Sequence, residues 1–304
     1  MSDQHSRTLM GCYGHALVRT PNLDRLAARG TRFTECWTPS PVCIPARASF
    51  ATGKYIHQIG FWDNADPYDG SVPSWHHRLR EAGHQVVSIG KLHFRSDEDD
   101  CGFSESIIPM QVFEGKGDLL GLIRDDLPVR GAAYKMARMA GPGESPYTQY
   151  DRDIAARAQV WLRERAPQYT DKPWVLFVSF VSPHYPLTAP PEHFYHYFDD
   201  PNLPMPLFYE RSQRPDHLFI RDYAKSFTLM TISKRRQIFA APLPATTVSA
   251  ALWMSRPARY SMHSLHQGSP TAPVLFTRAT METPSPNVGS GENRRSTKKP
   301  VESL

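Results

Sequence analysis

A chain of 304 residues that is 40% hydrophobic can form one large α/β domain or two ordinary ones around a sizeable core. Its net charge of +5 suggests at first a nucleic-acid or membrane-surface partner, but no apolar run approaches the roughly 20 residues a membrane span needs. Met1-Ser2-Asp3-Gln4-His5-Ser6 has no apolar signal region, and Cys12, Cys36, Cys43 and Cys101 lack metal-finger or disulfide-framework spacing, so a cytoplasmic location is expected.

The predicted elements begin with a helix opened by Thr20-Pro21 and closed by Gly30, with Leu23, Leu26 and Ala27 on one face. A second helix is expected from near Pro45 to Gly53 and a third from Ser74 to Gly83. A strand over 85–89 follows and ends at Gly90. Residues 150–165 read as an amphipathic helix through Ile154, Ala158, Trp161 and Leu162. After Asp171-Lys172-Pro173 comes the strongest strand, 174–181. Residues 186–217 show no clean period and read as a long surface excursion. Nearly continuous apolar strands between helices predict a mostly parallel sheet sandwiched by helices, an α/β fold. Ligands bind such sheets beyond the carboxyl ends of strands. That places attention on Lys91-Leu92-His93 and Ser182-Pro183-His184.

Charge divides the chain. Residues 1–227 hold 25 Lys+Arg against 27 Asp+Glu, a net of −2, whereas 228–304 hold 10 against 3, a net of +7. The expected organisation is a catalytic-type domain over 1–227 and a basic Ser/Thr/Pro-rich tail over 228–304 without a packed core. A nucleic-acid-binding role for that tail is one reading. Its scattered Lys/Arg and few aromatics weigh against it.

The densest chemical signal is Pro41-Val42-Cys43-Ile44-Pro45-Ala46-Arg47, continuing to Thr52-Gly53. Free N–H groups at a helix start can hold an anion and lower a thiol pKa, and Arg47 adds positive charge one turn on. A buried cysteine before an ordinary helix accounts for the same residues, and a thiol hydrolase or disulfide-exchange role is a further alternative. Each other candidate also has a bland reading: Asp3 as a solvated terminal residue, Lys91 as a surface charge, His93 and His184 as ordinary histidines. His76 and His77 are neighbours on a helix and face different directions. Cys12, Cys36 and Cys101 read as packing residues.

Cys-x-Pro-x-Arg followed by Thr-Gly resembles the signature of the type I sulfatases. The resemblance extends over about 200 residues: Asp3-Gln4, Gly11-Cys12-Tyr13-Gly14-His15, Thr20-Pro21-Asn22-Leu23-Asp24, Arg29-Gly30-Thr31-Arg32-Phe33, Gly90-Lys91-Leu92-His93 and Ser182-Pro183-His184-Tyr185-Pro186. Asp63-Asn64 and the Ser71-to-Gly83 stretch look most like choline-sulfatase-type members. The resemblance implies an alkaline-phosphatase-like fold, here incomplete, and hydrolysis of a small-molecule sulfate ester. It implies that a formylglycine-generating enzyme oxidises Cys43, and that one hydroxyl of the hydrated aldehyde attacks sulfur while the other later expels sulfate. A divalent metal is implied too, Ca²⁺ first and Mg²⁺ or Mn²⁺ as alternatives, held by Asp3, Gln4 and the Cys43 position. By position, Arg47 would orient the diol, Lys91 would contact sulfate, His93 would serve the diol, and His184 would contact sulfate or the leaving oxygen. Phosphonate and phosphate ester hydrolases share this fold and nucleophile and form the alternative activity.

Two departures stand out. Only Met1 and Ser2 precede Asp3, so Asp3 is expected to be poorly anchored. The family's later Asp-His-Gly or Asp-Asn-Gly metal motif does not appear, so little or no activity is expected. Reverse translation suggests a cause. Read from the last base of each codon, Ala279-Thr280-Met281-Glu282-Thr283 permits Asp-His-Gly-Asp, Trp253-Met254 must give Asp, and Met262-His263 must give Ala. Residues after about 227 therefore read as a frameshifted continuation of a sulfatase gene, and such a tail is not expected to fold onto the domain.

Overall fold

The computed structural model describes residues 1–118, 128–129, 139–198, 200–203, 211–226 and 279–280. Its centre is a parallel sheet in the order β3-β2-β5, formed by β2 (Val86–Lys91), β3 (Glu105–Met110) and β5 (Val175–Ser179). All of β2 is buried. The chain start lies beside β5, where the Met1 amine donates to the Val178 carbonyl at 2.6 Å and the Phe180 amide donates to the Met1 carbonyl at 2.9 Å, and the two-residue strand β1 (Ser2–Asp3) follows.

Helices cover both faces. Helix α1 spans Pro21–Arg29, α2 Cys43–Thr52, α3 Ile56–Ile59 and α4 Trp75–Glu81. The short strand β4 (Gly141–Pro142) precedes the 19-residue α5 (Pro146–Glu164). Alternation along the strands separates two cores. Val87, Ile89, Leu176 and Val178 face Ile154, Ala158 and Trp161 of α5. Phe177 faces the other way, toward Ala48, Ala51, Phe61, Tyr68, Leu92 and Phe94, and stacks on Phe50 of α2 at 5.6 Å.

Several expectations need adjusting. Helix α2 begins at Cys43, two residues before Pro45, because a proline in a first helical turn gives up no needed N–H. Helix α5 begins earlier than 150, where Ser145 accepts the Thr148 amide as its N-cap and Pro146 follows. The described part of 186–217, read as a surface excursion, is in part regular and buried. It contains β6 (Thr188–Ala189), paired with β4, and α6 (Pro191–Phe198), anchored by buried Phe194 and Tyr197. Strand β3 had no sequence signal. Helix α7 spans Leu218–Ser226.

The cysteines also divide. Cys101 is a core residue, but Cys36 is exposed and Cys12 half-buried, so packing does not explain those two. The Nδ1 atoms of His76 and His77 both meet the Ser74 hydroxyl, at 2.8 and 2.7 Å, despite their adjacent positions. The tail lies outside the described residues except for Ala279–Thr280 (β7). These two pair in parallel with Ser2–Asp3, so at this point the tail does meet the domain.

Candidate active site

The carboxyl ends of β1, β2 and β5 and the first turn of α2 converge on one point. Asp3 is fully buried there (0% exposed). This overturns the expectation of a poorly anchored Asp3, because Met1 main-chain bonds and two buried cations fix it. Its Oδ2 receives the Arg47 guanidinium at 3.3 Å and ion-pairs with the Lys91 ammonium. Burial works against the carboxylate charge, but Lys91 and Arg47 outweigh it and hold the Asp3 pKa well below the usual range.

Arg47 lies four residues after Cys43, on the same side of α2. Its Nη1 donates to the Lys91 carbonyl at 2.7 Å and the Ser179 hydroxyl at 3.3 Å, and Nη2 reaches Asp3, so one guanidinium ties the ends of β1, β2 and β5 together. The α2 start is oriented by Asn64, whose Oδ1 accepts the Ile44 amide at 3.0 Å. Sequence reading missed Asn64, Ser179 and Asp151. Asn64 was visible only as part of a branch resemblance, and nothing in the sequence marked the other two.

Cys43 is buried, and its thiol pKa is raised, first by burial and then by the Asp3 charge. A thiol held in its neutral form is a poor nucleophile, which disfavours a cysteine hydrolase or exchange role. Asp3, Cys43 and His184 bring ligand atoms within 4.8 Å of one another, the one such cluster of His, Cys, Asp or Glu among the described residues. His184 follows β5 through a turn in which its amide donates to the Val181 carbonyl at 3.0 Å. Its Nδ1 sits 2.7 Å from the Tyr185 carbonyl. A carbonyl only accepts, so Nδ1 carries the proton and the neutral ring keeps its lone pair on Nε2. Burial and the Lys91 charge lower its pKa to about 4.

His93 follows β2 in a left-handed conformation (φ 60°), held by its amide bond to the Met110 carbonyl at 2.8 Å. Such a backbone is unfavourable for a non-glycine residue and persists only where surroundings impose it. Its Nδ1 is buried with no hydrogen-bond partner among the described residues. Burial, then Lys91 and Arg47, lower its pKa well below 6.5. Gln4 is also left-handed (φ 57°), directly after Asp3.

The implied divalent cation can be tested against these donors. Asp3 Oδ1 is buried and unpartnered, as a ligand oxygen would be before an ion arrives. Against this, Lys91 and Arg47 already neutralise the same carboxylate. Ca²⁺ takes about six to eight oxygens, and Mg²⁺, although it keeps several waters, is held by one or two carboxylates that it does not share with fixed cations. The converging donors are one free carboxylate oxygen, a thiol and an imidazole, which supply a single oxygen, so the described residues do not by themselves fit a hard divalent cation.

The chain itself has counterparts among known proteins. The family model described as Sulfatase matches residues 1–218. The N-acetylglucosamine-6-O-sulfatase of Bacteroides thetaiotaomicron is 41% identical over 97 residues, 32% of this chain and 17% of that protein. The uncharacterized sulfatase YidJ of Escherichia coli is 31% identical over 204 residues, 66% of this chain and 40% of its own length. The choline-sulfatase of Rhizobium meliloti is 32% identical over 178 residues, 57% and 35% of the two chains. The chain thus spans less than half the length of these relatives. Among solved structures, the phosphonate monoester hydrolase of Silicibacter pomeroyi superposes with TM-score 0.52 at 18% identity, covering 83% of this chain and 56% of that one. A protein solved with its substrate D-glucosamine-2-N,6-O-disulfate gives 0.50 at 20% identity, covering 83% and 58%. These superpositions bear out the α/β, alkaline-phosphatase-like architecture. With the family model covering most of its length, this chain belongs to the sulfatase family.

Proposed function

We propose that the chain carries the sulfate-ester site of a formylglycine-dependent sulfatase, with Cys43 as the residue converted. The observation that carries this reading is the meeting of Cys43, Asp3, Arg47, Lys91 and His184 at the strand ends. When formed and hydrated, the aldehyde would supply two geminal hydroxyls, one to take the sulfuryl group and one to expel sulfate.

The chain's own residues prepare for this. Lys91 and Arg47 bring two fixed positive charges to one buried carboxylate, which leaves net positive charge for a sulfate group. Neutral His184 and His93 can accept a proton, and a bound anion raises their pKa values toward the range where they donate one. Asp3 fixes the direction of both cations. Nothing in the described residues favours phosphate or phosphonate esters over sulfate esters. Because the described donors fall short of a metal shell, turnover by this chain is expected to be negligible.

Calorimetric titration with inorganic sulfate tests the anion site. The reading predicts saturable binding that Lys91→Met reduces at least tenfold. Absence of binding, or binding indifferent to Lys91, overturns it.

A further inference from the structure

One further carboxylate is buried beside the connection that carries His184. Asp151 lies on α5 and is 1% exposed. It sits three residues before Ile154, on the face that packs against β2 and β5. Each of its two oxygens takes a main-chain amide: Oδ1 accepts from Val181 at 2.7 Å and Oδ2 accepts from Ser182 at 2.8 Å. These are the first amides past β5 after Phe180, whose own amide is taken by Met1. The Val181 carbonyl then accepts the His184 amide at 3.0 Å. A single path therefore runs from the α5 packing face through Asp151 to two loop amides and on to the turn that ends at His184.

A helix docked on a sheet through Ile154, Ala158 and Trp161 is a rigid support, whereas the connection after a strand is not. Charge-assisted bonds from two consecutive amides to one carboxylate fix that connection's direction as well as its position. An amide side chain could not do the same, because its NH₂ would face one of the two N–H donors.

We propose that Asp151 is a positioning residue for His184: by taking the Val181 and Ser182 amides it sets where the turn delivers the imidazole beside Asp3 and Cys43. This deepens the proposed function and rests on it only in reading His184 as a group that meets sulfate.

The test uses the full chain with ¹⁵N-labelled histidine, the His184 ring resonances being assigned with His184→Gln. Asp151→Asn is expected to move those resonances and weaken their response to inorganic sulfate about tenfold, while circular dichroism stays that of the parent. Asp153→Asn, which alters only the exposed pair with Arg157, is expected to change neither. A folded Asp151→Asn chain with unmoved His184 resonances overturns the proposal. If the parent chain shows no sulfate response, the anion-site reading fails, but the ring shift still decides the role of Asp151. Should Asp151→Asn not fold, hydrogen exchange in the parent decides: slow exchange at Val181 and Ser182 supports the proposal, and exchange as fast as in an exposed loop overturns it.

Discussion

The ammonium of Lys91 ion-pairs with Oδ2 of Asp3 across 88 positions of sequence, and both side chains are withdrawn from water, at 4% and 0% exposure. A pair of this kind does more to fix geometry than to stabilise, because each charge has lost its hydration. Removing one partner leaves the other buried and uncompensated. Asp3→Asn strands both Lys91 and Arg47 and is expected to lower unfolding free energy by about 3–5 kcal/mol. Lys91→Met leaves Arg47 on Asp3 and should cost less. Urea unfolding followed by fluorescence ranks the two, and the reverse order would contradict this account of the site.

Gly90, next to last in β2, has φ +99°, and a Cβ there would run into the Ser179 carbonyl oxygen and the Ile154 side chain. Gly14 has a similar φ of +95° with nothing within 4 Å. The backbone penalty, about 1–2 kcal/mol, is common to both. Gly90→Ala should therefore cost several kcal/mol and Gly14→Ala no more than about 2. Thermal melts of the two variants check the difference.

Acid should weaken the fold before its carboxylates titrate. His76 is buried between Ser74, Cys101 and Phe103, and burial lowers its pKa to about 3 from the usual 6.5. Below pH 6.5 the unfolded chain binds a proton at this position and the folded chain does not. Unfolding thus takes up protons, and stability falls as pH drops from about 6.5 toward 3. Buried His184, with its pKa near 4, adds in the same direction. Urea midpoints measured from pH 7.5 to pH 4 should be level above pH 7 and decline below 6.5. A flat profile would contradict the buried neutral state.

Much of the layered fold is legible in the sequence. The unbroken apolar runs of β2 and β5 and the periodic face of α5 can be read directly, since burial on both faces of a parallel strand leaves that composition. Strand β3 is hidden because Glu105, Ser106 and Pro109 break its pattern. Helix α6 is hidden because its period spans only eight aromatic-rich residues. Lys91, His93 and His184 are legible from their places just past predicted strands, and Cys43 and Arg47 from a helix start, whereas Asp3 is legible only through resemblance. Asp3 at a polar terminus has no local signal of burial, and its position depends on partners 44 and 88 residues away. Asp151 is silent for the same reason, being 30 residues from the amides it holds.

If residues after about 227 continue a sulfatase gene out of frame, the shifted frame across codons 228–304 is open and reads Asp-His-Gly-Asp over 279–283. Those codons include Ala279–Thr280, which pair beside Asp3. A stop codon before that point contradicts the reading. Calorimetry with Ca²⁺ gives a matching protein-level result: the chain as it stands should show no micromolar binding, because its described donors supply too few oxygens.

If Cys43 is the precursor of the reactive group, its conversion changes the mass of the peptide that contains it. The chain should be produced together with a formylglycine-generating enzyme and digested. Conversion predicts a peptide about 18 Da lighter than the thiol form, whereas ordinary cysteine oxidation makes it heavier. A Cys43 peptide found only as the thiol or its heavier oxidation products would contradict the account.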